Sequence, residues 1–280
     1  MRFAGGGRVF KIPRAEAVSF QLSDLTCLTK GEELEGFAIT YSMGDNFSEI
    51  THISALKNRG LVSRDGAGEH TGGGTHVFDI IRDSGIPTIA IPGLHRGSNT
   101  DTRFKVYSHQ ASPEKIGLAY EVASRLGPDF IVSDISSNTV TLLIRDETII
   151  GGFDACVFAP GWVHGALDLD AIRAIDAGQL TANDAFLRAG VRDNLDASVQ
   201  ISALAMFAAM ECASLRLLAP QAPIALCGSR ASSVSEEISS LLKCNVLILD
   251  EWTAAIGLSL IAEDVFSKNV KAILGIPVRL

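Results

Sequence analysis

The segment from Pro128 to Gly152 restricts the fold of this chain more than any other part of the sequence. An apolar run ends at Asp134, a small polar turn follows, and the chain resumes the alternating apolar pattern of a second strand. Small hydroxyl residues let backbone N–H groups approach an anion, and a carboxylate at a strand tip can hold a hydrated cation. The pattern favours a site for a nucleotide phosphate and its Mg²⁺, made by Asp134, Ser136, Ser137, Asn138 and Thr139. An ordinary β-hairpin with a polar turn is the alternative.

A second segment, from Pro223 to Leu242, has the pattern of a buried strand, a glycine turn and a helix. Ser232 or Ser233, with a glutamate following as in a capping box, predicts the start of that helix. A glycine after the strand lets a planar ring lie against the backbone, so the turn is a candidate nucleotide contact. The residues concerned are Gly228, Ser229 and Arg230. A strand, turn and helix without any ligand fit the same pattern.

The order of these two segments resembles the second phosphate motif and the adenosine motif of the superfamily of acetate and sugar kinases, heat-shock chaperones and actin, called ASKHA. Further stretches are similar to methanogenesis marker protein 12, a family of methane-producing archaea without an established function. They are FKIPRAEA (10–17), GEHTGGGT (68–75), IPGLHRG (91–97), YSHQASPEK (107–115) and LDLDAIRAIDAG (167–178). The resemblance covers essentially the whole chain. It implies an α/β fold of two ribonuclease H-like domains, an actin-like ATPase fold, with ATP and Mg²⁺ in a cleft between the domains.

One part of that superfamily pattern is absent from the sequence. Its members ordinarily begin with a strand that ends in an Asp-x-Gly-Thr-Thr loop, the first phosphate motif. This chain begins with Met1, Arg2, Phe3 and Ala4, just after the place where that motif is expected. The resemblance therefore implies that the first strand of the first domain is missing. A mis-set start codon and a true lack of half the phosphate grip remain the two interpretations.

The strongest predicted helix divides the chain into two domains. It begins at Pro113 after the N-cap Ser112 and ends before Gly127. We expect an N-terminal domain of residues 1–112 and a C-terminal domain of residues 113–280, with the final helix packing back on the first domain. Strands are predicted at 8–12, 36–42, 87–91 and 246–249, and helices at 15–29, 53–58, 76–84, 168–177, 181–189, 194–218 and 251–266. Asp168 and Asp170 are expected to cap the helix that follows them. Alternating strands and helices predict the α/β class.

A glycine-rich loop at 66–75 is the most unusual stretch of the first half. Its spacing matches neither a P-loop nor a Rossmann turn. It precedes a predicted helix, whose N-terminal N–H groups favour an anion, so Gly72, Gly73 and Gly74 are candidate phosphate contacts. A flexible surface loop is the alternative. Glu69 and His70 are candidates for acid–base or metal roles.

A second polar cluster of the first half follows the predicted strand 87–91. It contains His95 and Arg96, with Asp101, Arg103 and His109 beyond. Ligands of open α/β sheets bind at strand ends, where an arginine can grip a carboxylate or phosphate and a histidine can donate to developing charge. The likeness to acetate kinases implies that His95, Arg96 and Asp134 are catalytic. A solvated loop with local ion pairs is the alternative.

Composition excludes several classes of protein. A formal net charge of −8 argues against nucleic acid as a partner. No apolar run approaches the length of a membrane span and no signal-peptide pattern is present, which predicts a cytoplasmic protein without a membrane partner. The cysteines are scattered without C-x-x-C spacing, which favours buried thiols over disulfides or a zinc site.

Three functions are compatible with these features. The first is an acetate or butyrate kinase-like phosphotransferase that acts on an unknown carboxylate or hydroxyl acceptor. The second is an ATPase whose domain closure assembles or activates a methanogenic enzyme, and the third is nucleotide binding without catalysis. Whether the protein is an enzyme therefore stays open, and so does whether it forms a homodimer. Transfer of phosphate to a small acceptor would distinguish the first function from the second.

Overall fold

The computed structural model of the protein describes residues 1–13, 15–29, 31, 33–62 and 72–280. The chain divides into two compact units, of which the first contains Met1–Arg125 and Trp252–Leu280 and the second contains Leu126–Glu251. This division differs from the boundary expected between residues 112 and 113. Close packing explains the difference, because Gly117 and Gly257 approach so nearly that a Cβ on Gly257 would lie 1.7 Å from the Gly117 carbonyl oxygen. The helix after residue 113 therefore joins the first unit together with the C-terminal segment.

The N-terminal part of the first unit consists mainly of short strands. Its elements are β1 (Arg2–Gly5), β2 (Arg8–Lys11), α1 (Thr26–Thr29), β3 (Phe37–Ile39), β4 (Ile50–His52), α2 (Gly73–Arg82), β5 (Thr88–Ala90), β6 (Leu94–His95), β7 (His109–Ala111) and α3 (Glu114–Leu126). β1 and β2 form an antiparallel hairpin, whereas β3 pairs with β5 in parallel and β4 pairs with β5 antiparallel. The strands predicted at 8–12, 36–42 and 87–91 are confirmed as β2, β3 and β5, each shorter than predicted.

Two helices predicted in this part are wrong. Segment 15–29 forms two 3-10 turns and the four-residue α1. Its polar side chains bond to neighbouring backbone instead, as when Asp24 Oδ2 accepts from the Gln21 N–H at 2.9 Å. Segment 53–58 follows β4 as 3-10 turns, and Asn58 and Arg59 have φ of 48° and 53°. Left-handed backbone of this kind ends a helix.

The second unit contains one mixed sheet with helices. Its elements are β8 (Phe130–Ile135), β9 (Thr139–Arg145), β10 (Thr148–Phe153), α4 (Leu169–Asp176), α5 (Ala182–Phe186), α6 (Val191–Asn194), α7 (Gln200–Arg216), β11 (Ile224–Cys227), α8 (Ala231–Leu242) and β12 (Val246–Ile248). The strand order is β10-β9-β8-β11-β12. β8 is antiparallel to β9 and parallel to β11, and all of its residues are buried. The predicted strand, turn and strand at 128–152 are confirmed.

Helix starts in this unit differ from the predictions in two places. α7 begins at Gln200 and not at Asn194. Asn194 is the last residue of α6, and its side chain donates to the Arg188 and Gly190 carbonyl oxygens, which precede that helix. α8 begins at Ala231 without a side-chain cap, so the predicted serine cap is wrong. Ser233 Oγ donates backward to the Arg230 carbonyl oxygen at 2.8 Å instead. Of the two residues predicted to cap α4, Asp168 is confirmed, because it accepts from the Ala171 N–H, whereas Asp170 lies in the first turn of the helix.

The C-terminal segment completes the first unit with a helix and two strands. These are α9 (Thr253–Lys268), β13 (Ala272–Ile273) and β14 (Ile276–Arg279). Among the described strands, β14 pairs with β4, which gives the sheet order β13-β14-β4-β5-β3. α9 packs against both β1 and β3. No helix in the described ranges is long and apolar enough to cross a membrane.

The contact between α3 and α9 predicts how a substitution at Gly257 changes the stability of the protein. We expect Gly257→Ala to lower the free energy of unfolding by about 1–3 kcal/mol, because the added methyl group must displace the Gly117 backbone. Urea denaturation measures the change. Gly74→Ala is the control, since no atom lies within 4 Å of a Cβ built at Gly74. An equal stability of the Gly257 variant and the parent would contradict the close packing of the two helices.

Candidate functional site

The tips of β8 and β11 bring together the two motifs of the second unit. Asp134 lies beside Cys227 in the parallel pairing of these strands. Ser136 Oγ donates to Asp134 Oδ1 at 2.7 Å, and the Ser229 N–H donates to Ser136 Oγ at 3.2 Å. The Ser136 hydroxyl therefore links the turn after β8 to the turn after β11, although the two serines lie 93 residues apart in the chain.

Gly228 allows this close approach. Its φ is +94°, and a Cβ there would lie 2.2 Å from Asp134 Oδ1 and 2.4 Å from Ser136 Oγ. Any larger residue would push the two turns apart, as well as strain the backbone. A backbone hydrogen bond also holds the two segments together, because the Arg230 N–H donates to the Ile135 carbonyl oxygen at 2.9 Å.

The turn after β8 presents its amide groups in one direction. The Ser136 carbonyl oxygen accepts from the Trp162 N–H at 3.0 Å, and the Ser137 carbonyl oxygen accepts from the Val163 and His164 N–H groups at 2.9 and 3.0 Å. In a trans peptide the N–H points opposite to the carbonyl of the same plane. The N–H groups of Ser137 and Asn138 are therefore turned away from segment 162–164. Successive N–H groups with this orientation form a concave anion site.

A supporting loop, residues 159–164, holds this turn in place. The Thr139 hydroxyl donates to the Pro160 carbonyl oxygen at 2.9 Å, and His164 Nδ1 bonds to Asn138 Oδ1. Gly161 packs directly on the turn, since a Cβ there would lie 2.3 Å from the Ser137 carbonyl oxygen. The orientation of the turn thus depends on a loop that is not contiguous with it in sequence.

Glu211 of α7 anchors the supporting loop from inside the unit. Its side chain is fully buried. Oε1 accepts from the Ala159 N–H at 2.9 Å, and Oε2 accepts from the Thr141 hydroxyl at 2.7 Å. Burial raises the pKa of Glu211 to about 8, although both hydrogen bonds act to lower it. The carboxyl group is therefore largely protonated at neutral pH.

Two aromatic side chains of the supporting loop, Trp162 and His164, also contact neighbouring segments. The Arg230 guanidinium carbon lies 3.8 Å from the ring centroid of Trp162, a cation–π contact between the β11 turn and the loop. The His164 ring stacks on Phe186 with centroids 4.8 Å apart. Burial lowers the pKa of His164, and the Asp154 carboxylate opposes this shift. A neutral imidazole with its proton on Nδ1 fits the bond to the Asn138 carbonyl oxygen.

The sequence-based analysis did not identify Trp162, His164 or Glu211 as parts of the site. A glutamate inside an apolar helix is a signal that could have indicated Glu211, because a buried carboxyl group needs partners. The loop contacts are made mostly by backbone groups. Their partners cannot be read from side-chain types.

The candidate glycines of the first unit lie at the start of α2. Gly72 is the N-cap residue, and it makes no side-chain cap. Gly73 and Gly74 belong to the first turn of the helix. Glu69 and His70, the other candidates of this loop, lie outside the described residues.

His95 and Arg96 are held by backbone groups in the first unit. His95 Nδ1 accepts from the Gly97 N–H at 3.1 Å, so Nε2 carries the proton and donates to the Phe47 carbonyl oxygen at 2.9 Å. Arg96 donates to the Lys105 and Val106 carbonyl oxygens at 2.9 and 3.1 Å. These contacts fix the loop between β6 and β7. A catalytic role for either residue stays a prediction.

The chemistry of Asp134 fits a magnesium ion better than a protein-only metal site. Within the described ranges, no group of three or more His, Cys, Asp or Glu residues could hold a metal ion. Mg²⁺ commonly binds one or two carboxylates together with substrate phosphates and water. A single carboxylate at the strand tip, beside a turn that can accept an anion, meets that requirement.

The fold defined by these units is an actin-like ATPase fold, which is also the fold of acetate kinases. It resembles the acetate kinase of Porphyromonas gingivalis with a TM-score of 0.57 at 13% identity, over 92% of this chain and 88% of that one. The acetate kinase of Entamoeba histolytica gives 0.59 at 10% identity, over 95% and 91%. No sequence-family model matches the chain.

The relatives of the chain come from methanogenic archaea. It is 45% identical to a UPF0285 protein of Methanosarcina barkeri over 99% of this chain and 95% of the relative. The UPF0285 protein of Methanococcus aeolicus is 41% identical over 97% and 92%. The chain belongs to the UPF0285 family.

The buried carboxyl group generates a prediction about pH. Because the pKa of Glu211 is raised in the folded state, folding retains a proton that the unfolded chain loses near pH 4.5. We expect the contribution of this proton to the free energy of unfolding to be complete below about pH 4.5 and to be lost as pH rises through about 8. In Glu211→Gln the fall over this window should be smaller. Denaturation at a series of pH values measures it, and parallel curves for the two proteins would contradict a raised pKa.

Proposed function

We propose that this protein binds Mg-ATP in its second unit and transfers a phosphoryl group to a small carboxylate or hydroxyl acceptor. In this proposal it is the methanogenesis marker protein 12 of its organism. The observation that carries the proposal is the bonded series Asp134, Ser136 and Ser229, which joins the candidate phosphate turn to the candidate adenosine turn. The acetate kinase-like fold adds support of a general kind, because fold alone does not determine a reaction.

The phosphates would be bound mainly by backbone groups. The N–H groups of Ser137 and Asn138 face away from the supporting loop, so they are available in orientation to phosphate oxygens. Thr139 is fully buried and donates to Pro160, which suits it to holding the turn. The N-terminus of α2, with Gly72, Gly73 and Gly74, is a second candidate for a phosphate contact.

Asp134 would hold the magnesium ion, with Ser136 fixing the orientation of its carboxylate. When bound there, Mg²⁺ would neutralise the negative charge of the phosphates during transfer. Gly228 and Ser229 would lie against the nucleoside, and Arg230 would be held beside it by Trp162. The close packing at Gly228 leaves backbone, and no side chain, on that surface.

His95 and Arg96 are the candidates for contact with the acceptor. Arginine can bind a carboxylate through two parallel hydrogen bonds, which matches an acetate-like substrate. Both side chains bond to backbone carbonyl or N–H groups in this structure. An acceptor would therefore have to compete with those bonds, and their rearrangement is part of the proposal.

We expect Asp134→Ala to weaken Mg-ATP binding by about 1–3 kcal/mol without unfolding the protein, because a charge-assisted contact to the ion is lost. Isothermal calorimetry with Mg-ATP measures the affinity. Asp196→Ala is the matched control, since Asp196 is exposed and belongs to neither candidate turn. Equal affinities of the Asp134 variant and the parent would rule out the assignment of the phosphate turn.

The reaction itself is tested with γ-labelled ATP and a panel of short carboxylates and alcohols. Label on a carboxylate should be released by hydroxylamine as the hydroxamate forms, and Asp134→Ala should abolish the transfer. Release of free phosphate that increases only with an added protein partner would identify an ATPase and refute the kinase. Binding without either reaction would refute both catalytic functions.

A further inference from the structure

The outward side of α7 in the second unit is apolar from one end of the helix to the other. Six residues make up this side, which we call the α7 face: Val199, Ala203, Met206, Met210, Ala213 and Leu217. Its four large side chains are between 42% and 82% exposed. Of the two alanines, Ala213 is exposed and Ala203 is half-buried. Val199 and Leu217 are the N-cap and C-cap residues, so the face extends over the whole helix.

The α7 face has the spacing of a contact between helices. Its residues follow one another at alternating intervals of four and three, which is the seven-residue repeat of a coiled-coil seam. At about 100° per residue, all six lie within about 40° of the direction opposite Ala208. Ala208 is fully buried on the side of α7 that packs on β8 and β9. A helix that is apolar on both sides is typical of one that is covered on both sides.

No charged side chain of α7, a helix that the structure describes completely, projects into this face. Its charged residues are Glu211 and Arg216. Glu211 is fully buried, and Arg216 donates to the Ala222 carbonyl oxygen at 3.4 Å. The Ser202 hydroxyl at the border of the face donates to the Val199 carbonyl oxygen at 3.1 Å. An acidic or basic partner would therefore find no opposite charge on this helix, and an apolar partner fits it.

The α7 face is nearly the same in both directions along the chain. Counted from Ala208, a methionine stands two residues away on either side and an alanine stands five residues away on either side. Val199 and Leu217 stand nine residues away. The borders agree as well, since Ser202 and Ser214 each lie six residues from the centre. A surface with this internal symmetry is complementary to itself when it is turned around.

Two such helices match in the antiparallel direction. With a two-fold axis at the level of Ala208, Met206 lies opposite Met210 of a second copy, and Ala203 lies opposite Ala213. Paired alanines on both sides of the centre let the helix backbones approach closely. The positive N-terminal end of each helix also lies beside the negative C-terminal end of the other, whereas parallel helices would bring like ends together.

We propose that the α7 face is the contact surface of a homodimer, in which α7 packs antiparallel against α7 of a second copy with the two-fold axis at the level of Ala208. The same residues contact each other from both sides, so the assembly closes at two copies. The inference does not depend on nucleotide binding or on the proposed reaction.

The size of the α7 face determines how strong this dimer is. With its caps the helix is about 28 Å long, and a face about 10 Å wide offers roughly 300 Å² for each copy. A standard interface buries about 800 Å² per partner, and smaller ones belong to weak, reversible complexes. We therefore expect a dimer that dissociates on dilution from about 100 to about 1 µM, which sedimentation velocity of the full chain measures.

Two variants with charges at the centre of the face test the pairing. In Met206→Glu/Met210→Glu the new carboxylates of one copy would face those of the other, and we expect the dissociation constant of the dimer to rise at least about a hundredfold. In Met206→Glu/Met210→Lys each carboxylate would face an ammonium group of the other copy, and the constant should stay within about tenfold of the parent. Both variants lose the same methionines, so the second is the matched control for the first. Circular dichroism verifies that both are folded.

Cysteine crosslinking tests the direction of the helices. Positions 203 and 213 of two antiparallel copies lie at one level, whereas each position lies about 15 Å along the helix from itself in the other copy. A disulfide requires Cα atoms within about 7 Å of each other. Under mild oxidation Ala203→Cys/Ala213→Cys should form crosslinked dimers, and neither single variant should. The background carries serine at Cys27, Cys156 and Cys244, the cysteines that are not buried.

Four outcomes would overturn the proposal. The first is a parent chain that stays monomeric at about 100 µM. The second is equal dissociation of the two charged variants, and the third is crosslinking of the single cysteine variants, which parallel helices would give. The fourth is a monomer that binds phosphatidylcholine vesicles through Met206 and Met210, because a lipid surface would then be the occupant of the α7 face.

Discussion

The candidate site depends on the parallel pairing of β8 with β11. The strands end at the same edge of the sheet, so the turns that follow them must share a small volume. Gly228 makes this arrangement sterically feasible, because its hydrogen atom stands where a methyl group would meet Asp134 and Ser136. The hydroxyl of Ser136 then bonds to both turns. A change in the register of this pair would separate the candidate phosphate turn from the candidate adenosine turn.

A second layer of the structure determines which way the phosphate turn faces. The supporting loop takes up the carbonyl oxygens of Ser136 and Ser137, which leaves the following amides directed to the opposite side. A buried carboxyl group, Glu211, anchors the start of that loop by accepting from the Ala159 N–H. A hydrophobic residue at this position would remove the carboxyl oxygen that the buried Ala159 amide bonds to. A buried polar side chain in this unit therefore helps to position the loop that orients the candidate phosphate turn.

The sequence predicted the second unit far better than the first. Its strands are long, alternate clearly or are uniformly apolar, and follow one another in a hairpin, so local patterns were sufficient. Strands of two to four residues in the first unit, such as β4 and β14, contain too few residues to show a period. Asp134 and Gly228 could be predicted because each follows an apolar run. Glu211 and the supporting loop could not, since their roles come from hydrogen bonds between distant segments.

The stacking of Arg230 on Trp162 has a practical consequence for the study of this protein. The chain contains two tryptophans, and the other, Trp252, has the Arg2 guanidinium carbon 6.0 Å from its ring centroid. A guanidinium in contact with an indole alters its emission, so any ligand that draws Arg230 away changes the fluorescence of Trp162. Replacement of Trp252 by phenylalanine would leave one tryptophan, Trp162, in the supporting loop beside Arg230. The emission of Trp162 would then report any change in its contact with Arg230, without an attached dye.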